Sequence, residues 1–442
     1  MRAPAVLRVV VLSTLAVALV LAVALPLRAA GPGAGAASSA SPIELVETRP
    51  VESTLGNPEL RQAHDVWLEM IRGAKKSLDF EEFYCSTWPN EPLEDVLSAI
   101  GDAAKRGVRV RLILDANMHK TYPLPGDSLG KLANIQVRIL DMKPHGGGVQ
   151  HSKYFIVDDE QIYLGSQNMD WRSLKHIHEL GVRIANPQVV AAFRPVYDLD
   201  WATAGGEPAP AVAPTPSLPI HVKSREEITE QAERKGAGTG VDVGVTVWPS
   251  YSPHGFIPDS TLWDEPAIVR LLDSAKHDVM VQVLTYGIGD RNGRDSTLDQ
   301  ALRRAAGRGV RVRLIVSDWE KGASGMAALQ ALGGVPNVSI KLSTVPEWSG
   351  GYIPFARVEH CKYAAVDSSA VWIGTSNWER GYFWGTRNIA VTLESKRLTL
   401  QARRVFEASW NAPGAEALKL DATYAPKQRG DQGPAGVKKY GG

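Results

Sequence analysis

The sequence predicts an α/β layered fold built twice over, and three observations predict it. A histidine-lysine motif occurs in two copies. HSKYFIVD runs from His151 to Asp158 and continues through Gly165, Ser166 and Asn168; HCKYAAVD runs from His360 to Asp367 and continues through Gly374, Thr375 and Asn377. Both copies fit H-x-K-x4-D-x6-G-[ST]-x-N without a gap, which points to duplication. Upstream of each copy the same plan recurs. IRGAKKSLDFEEFYC leads to LEDVLSAIGDAAKRGVRVRLILD in the first half, and LLDSAKHDVMVQVLTY leads to LDQALRRAAGRGVRVRLIVSD in the second. Each reads as helix, strand, helix and a strand opening on RGVRVRLI, the alternation of an α/β fold with largely buried sheets. The 442 residues, 44% of them hydrophobic, allow a large core and two or three domains.

Taken in order, residues 1–40 are a targeting segment. Arg2 and Arg8 precede an uncharged apolar run from Val9 to Leu25, then Pro26 and a small-residue spacer. This reads as a signal peptide cleaved near Ala30 or Ala36, or as an uncleaved signal anchor, because the run approaches the length of a membrane span. Either places the body of the chain on the periplasmic or extracellular side. The first domain is expected over 41–205. A linker or long loop follows over 206–240, where GGEPAPAVAPTPSLP gives way to the charged KSREEITEQAERKGAG. The second domain is expected over 241–412, and residues 413–442, which lose periodicity, as a flexible tail.

The net charge of +1 excludes a globally basic nucleic-acid coat, so an anionic ligand must be held by a local cluster. The basic runs KRGVRVR and GRGVRVR sit at helix ends and strand entries and are read as edge charges. In a strand, a histidine two residues before a lysine puts imidazole and ammonium on one face. A protonated lysine is a poor metal ligand but neutralises a phosphate oxygen well, so no metal and no cofactor is expected. Two half-sites facing each other enclose one phosphodiester with Lys153, Lys362, Asn168 and Asn377, with Ser166 and Thr375 in support. His151 and His360 then flank the phosphorus, one to attack and one to protonate the leaving oxygen. Asp158 and Asp367 fall on the other strand face or at its end and are read as structural. His64, His119, His221 and His277 are read as structural, His145 as structural near the rim, and His176 and His178 as candidates for shaping the pocket. Cys85 and Cys361 are read as buried free thiols, and no Cys/His spacing resembles a zinc cage.

On these residues the chain resembles the phospholipase D superfamily over about residues 50 to 412. Its strings GVQHSK, YLGSQNMDWRSL and HELGV, then IPFARVEHCKY and IGTSNW, are similar to the animal lysosomal branch of 5′ exonucleases. The resemblance implies two αβαβα sandwich domains related by a pseudo-twofold, with one active site at their interface. It also implies a phosphohistidine intermediate with His151 as nucleophile and His360 as general acid. On the family pattern Glu179 is the acid that orients a catalytic histidine. Asn388 stands at the matching second position, which leaves the second histidine without its usual carboxylate.

The leading expectation is an exported phosphodiesterase that trims single-stranded DNA or RNA from its 5′ end. Trp88, Trp171, Trp348, Phe355, Trp378 and Trp384 are the candidates for stacking bases. A phospholipase D or transphosphatidylase acting on phospholipid headgroups is the alternative, since only the cleft walls distinguish them. A non-enzymatic phosphate-binding repeat protein is disfavoured by two intact motifs. Membrane contact is expected only through the N-terminal segment.

Overall fold

The β-branched runs of the first half form β1 (Ile43–Thr48), β2 (Ser77–Glu82), β3 (Arg109–Asp115), β4 (Ile135–Leu140), β5 (Lys153–Val157), β6 (Gln161–Gly165) and β7 (Glu179–Ile184). Those of the second form β8 (Ile220–Lys223), β9 (Gly244–Ser252), β10 (Asp278–Val283), β11 (Arg311–Ser317), β12 (Val338–Ser343), β13 (Tyr363–Val366), β14 (Ala370–Gly374), β15 (Asn388–Glu394) and β16 (Ala415–Ala417). The computed structural model describes residues 41–211, 215–223, 244–290, 293–431, 433–434 and 438–440. The targeting segment, 1–40, and the charged stretch 224–240 of the expected linker lie outside the described residues.

The two sheets repeat one topology. Seven strands of the first, β1-β7-β6-β5-β2-β3-β4, and seven of the second, β9-β15-β14-β13-β10-β11-β12, follow the same order, and further short strands pair at the sheet edges. In each, the repeated string RGVRVRLI feeds the middle strand of a parallel trio, β2-β3-β4 or β10-β11-β12. The histidine-lysine strand then pairs antiparallel with the first strand of that trio.

Five layers result, because every sheet face carries apolar residues and needs cover. On the first sheet's outer face Phe80, Phe155 and Tyr163 pack against Trp67 of α1 (Ala63–Gly73) and Ile100 of α2 (Leu93–Lys105). On the second sheet's outer face Val281, Leu314 and Trp372 pack against Leu272 of α4 (Asp264–Asp273) and Leu302 of α5 (Thr297–Gly307). Between the sheets lie α3 (Pro187–Ala204) and α6 (Lys396–Trp410). Tyr154, Ile156, Phe193, Tyr197, Tyr363, Val371, Ala402 and Phe406 belong to this one buried cluster, drawn from both halves. Each central helix starts at a side-chain cap. Asn186 accepts from the backbone N–H of Gln188 and Val189, and Ser395 from that of Leu398.

Two expectations about the ends of the domains are corrected. The stretch 206–240 is not all linker: β8 pairs antiparallel with β9 at the edge of the second sheet. Ile220 and Val222 are buried while His221 and Lys223 are exposed, an alternation too short to stand out beside the proline-rich run. The described residues from 413 onward are not a loose tail. β16 pairs with β12, Phe355 N–H donates to Arg429 O at 2.8 Å, and the Tyr440 hydroxyl donates to Glu91 at 2.8 Å. A strap held by backbone bonds and single aromatic contacts has no periodicity for a sequence to display. The basic runs serve the sheets. Arg111 bonds Asp79 at 2.7 Å and Arg313 bonds Glu407 at 2.7 Å.

Candidate active site

Each motif histidine precedes its strand, so His151 and His360 stand at strand ends where the halves meet. Two isolated parallel bridges join those ends, Gln150 to Arg387 and His178 to Glu359. Through them His151 N–H donates to Arg387 O, and His360 N–H donates to His178 O, both at 2.9 Å. The imidazoles are nearly closed off from solvent, 6% and 7% exposed, and Lys153 and Lys362 are fully buried. Each lysine folds back to donate to the carbonyl of its own histidine, at 2.6 and 2.7 Å.

The orienting partners cross between the halves. His151 Nδ1 lies 3.0 Å from Asn388 Oδ1, and His360 Nδ1 lies 2.7 Å from Glu179 Oε2. This corrects the expected pairing: the second histidine holds the carboxylate, and the first holds the amide. The bridges are the reason, because they set the start of β15 beside His151 and the start of β7 beside His360.

The surroundings of Asn388 fix the proton on His151. Its amide nitrogen donates to Tyr382 O at 3.0 Å and Thr386 O at 3.2 Å, so its oxygen is the atom that faces the imidazole. That oxygen also accepts from the Thr375 hydroxyl at 2.9 Å. An amide oxygen only accepts, so His151 Nδ1 carries the hydrogen and Nε2 keeps its lone pair. Burial, then Lys153 and Lys362, hold the His151 pKa well below the ordinary histidine value. His360 is lowered by burial and the same two lysines, in the order Lys362 then Lys153. Burial pushes Glu179 up to about 8 against the pull of Lys362, so one proton is shared within the Glu179–His360 pair at neutral pH. Burial brings Lys362 down to about 8, and burial with the neighbouring charge of Lys362 holds Lys153 well below its usual range.

The remaining motif positions divide between site and scaffold. The buried Oδ1 atoms of Asn168 and Asn377 have no hydrogen-bond partner among the described residues. Ser166 accepts from Leu180 N–H at 3.0 Å and Thr375 from Ile389 N–H at 3.2 Å, tying each motif loop to the next strand. Asp158 accepts from the N–H groups of Lys75, Lys76 and Ser77, and Asp367 from those of Lys276, His277 and Asp278. Both aspartates adopt left-handed backbone, φ 56° and 51°, a conformation Asp tolerates better than most residues. At Gly165 a Cβ would meet Gly181 Cα at 2.5 Å, which explains that motif glycine.

Several site neighbours are not evident from the motif. Glu82 sits opposite Lys153 in the β2–β5 ladder and is raised by burial against the pull of that lysine. Glu81 accepts from Gln150 at 3.0 Å and Tyr154 at 2.8 Å. Their signal in the sequence is two adjacent acids inside an apolar strand. Phe83 and Tyr382 pack edge-on against His151, centroids 4.8 and 5.1 Å away. Tyr382 also lines an adjoining cleft of about 700 Å³ with Asn117, Lys143, Val149, Arg380 and Trp384. Of the candidate stacking aromatics, Trp88, Phe355 and Trp384 are about 40% exposed, whereas Trp171 and Trp378 are buried. Trp348 packs on His176, which burial holds down to about 3. His145 stacks on Phe256. Cys85 and Cys361 are buried and free.

Comparison with known proteins shows the family. The family model described as "Cardiolipin synthase, PLD-like domain" matches twice, over residues 67–201 and 268–410. The chain is similar to Phospholipase D Z of Dictyostelium discoideum, 29% identical over 84% of this chain and 89% of that protein. It is also similar to the 5′-3′ exonuclease PLD3 of Homo sapiens, 31% identical over 86% of this chain and 81% of that protein. Among solved structures, phosphatidylserine synthase of Haemophilus influenzae shares the fold, with TM-score 0.54 and 14% identity over 80% of this chain and 85% of that one. One family model fits both halves: the chain belongs to the phospholipase D superfamily and is a phosphodiesterase.

Proposed function

We propose that the enzyme acts outside the cytoplasm, without a metal, through a phosphohistidine, and shortens single-stranded DNA or RNA from the 5′ end. The observation that carries the mechanism is the Asn388 amide, which leaves His151 neutral with Nε2 as a lone pair. His151 Nε2 attacks phosphorus, the P–N bond forms, and the P–O bond to the leaving group breaks. His360, sharing its proton with Glu179, delivers that proton to the departing oxygen. In the second half-reaction His360 takes a proton from water, which attacks phosphorus and releases His151. Lys153, Lys362, Asn168 and Asn377 hold the non-bridging oxygens and supply the charge that a divalent cation supplies in metal nucleases.

The name of the human relative supports the nucleic-acid substrate, and that of the Dictyostelium relative supports a phospholipid. The exposed Trp88, Phe355 and Trp384 favour the first, since bases stack on aromatic faces. Incubating purified protein, with EDTA present, with 5′-hydroxyl oligothymidylate, duplex DNA and phosphatidylcholine decides between them. Turnover of the oligonucleotide is expected; turnover of lipid alone, or a rate restored only by added metal, overturns the reading. The histidine roles are tested with bis(p-nitrophenyl) phosphate, whose leaving group departs as an anion. His360→Ala should keep much of the first-turnover burst of p-nitrophenolate while losing oligonucleotide cleavage, and His151→Ala should lose both. The opposite pattern exchanges the roles. A fusion of residues 1–45 to a reporter active only outside the cytoplasm should score positive, and cytoplasmic retention overturns the export.

A further inference from the structure

We infer that His178 is a positioning residue for the reaction: clamped between Glu47 and Glu359, it seats the His360–Glu179 pair that delivers the proton. His178 is fully buried, as are both carboxylates. Its Nδ1 lies 2.7 Å from Glu359 Oε2 and its Nε2 lies 2.9 Å from Glu47 Oε1. Both ring nitrogens face anionic acceptors, so both carry hydrogens and the ring is an imidazolium. Burial opposes that charge, but Cys361 and Glu359 beside the ring outweigh it and hold the His178 pKa well above the ordinary value. Glu359 is lowered in turn, burial opposing and His178 prevailing.

The placement gives the clamp its consequence. His178 directly precedes Glu179, and Glu359 directly precedes His360, so the clamp grips the residue before each member of the proton-delivering pair. It fixes the same bridge through which His360 N–H reaches His178 O at 2.9 Å. Glu47 anchors the other side from β1, where it accepts from Asn57 N–H at 2.8 Å and pairs with Arg49 at 3.5 Å. Cys361 also faces the ring, and Lys362 faces Glu359 and Glu179. The pseudo-twofold counterpart of His178 is Arg387, which bonds Asp200 at 2.8 Å and bridges to Gln150 just before His151. One catalytic histidine is thus backed by a permanent cation and the other by an imidazolium. His178, Glu359 and Cys361 also have the makings of a metal site. At 2.7 and 2.9 Å, however, the contacts to His178 are hydrogen bonds, and no ring lone pair is left for an ion.

The inference rests on the reading of His360 as general acid, and the test separates the two. Wild type, His178→Gln, Glu47→Gln and His360→Ala are each assayed on oligothymidylate and on bis(p-nitrophenyl) phosphate, with thermal melts alongside. Displacing the acid by a fraction of an ångström should slow oligothymidylate cleavage on the order of 10- to 100-fold in His178→Gln. On the activated ester the rate of the first-turnover burst of p-nitrophenolate should stay within about threefold, because that leaving group needs no acid. Glu47→Gln should show the same split, smaller, and serves if His178→Gln does not fold. Equal loss on both substrates, or wild-type rates on both, overturns the inference. So does a metal bound one per chain in wild type and absent from His178→Gln. If His360→Ala itself shows no split, the failure lies in the reading of His360.

Discussion

At the scale of single residues, the site turns on which polar atom faces each Nδ1. Asn388 offers His151 an oxygen without charge, and Glu179 offers His360 a carboxylate. The first keeps His151 neutral; the second holds, shared with His360, the proton that the proposed mechanism gives to the leaving oxygen. A pH profile follows from these directions. His151, lowered well below 6.5, remains neutral as pH falls until its own pKa is reached, so the acid limb of kcat/KM should lie below 6.5. The proton of the Glu179–His360 pair leaves as pH rises through about 8, so the rate should fall above that value. Asn388→Asp places a carboxylate beside His151 and raises its pKa, which moves the acid limb to higher pH. Below the shifted limb, kcat/KM should drop about tenfold per pH unit. An unchanged acid limb in Asn388→Asp would mean that His151 is not the group needed in neutral form. The types and spacing of all these residues are legible in the sequence. The crossing is not, because two partners at the same distance from their own histidines give no sign that each serves the other one.

At the scale of elements, the repeated strings predict the strands well because each carries its own apolar alternation and its own turn. The motif aspartates belong to this level. Asp158 gathers three backbone N–H groups at the entry to β2, and Asp367 does the same at the entry to β10. Each stitches the loop before the parallel trio to the histidine-lysine hairpin. Asp158→Ala should therefore cost about 1.5–3 kcal/mol, the range for hydrogen bonds to a charged group. A denaturant melt measures that loss, while kcat per folded molecule should stay near wild type. A fall in kcat without a fall in stability would place Asp158 in the chemistry instead. What the sequence hides at this level is whatever lacks a period: the four-residue edge strand β8, and the strap that ends at Tyr440. Tyr440 packs against Trp348 at 4.9 Å and Trp171 at 5.8 Å, single contacts that no pattern announces.

At the scale of the whole molecule, the two halves share one buried cluster. The cluster between the sheets draws Tyr154 and Phe193 from the first half and Tyr363 and Phe406 from the second, and separation exposes all of them. A Phe406→Ala change should accordingly destabilise the chain by about 3–5 kcal/mol. Each catalytic histidine also takes its orienting partner from the opposite half of the same chain. A test without truncation follows. On the proposed mechanism, activity needs His151 with Asn388 and His360 with Glu179 in one molecule. Mixing full-length His151→Ala with full-length His360→Ala, including a cycle of unfolding and refolding together, should recover no oligonucleotide cleavage above the sum of the two variants. If halves exchanged between chains, the mixture would instead contain sites with both histidines intact. At equal concentrations, random exchange would restore on the order of a quarter of wild-type activity per site, within the range that site-directed losses of this size make easy to detect. Recovery at that level would show that the shared core closes between molecules as readily as within one, and the single-chain site would have to be abandoned.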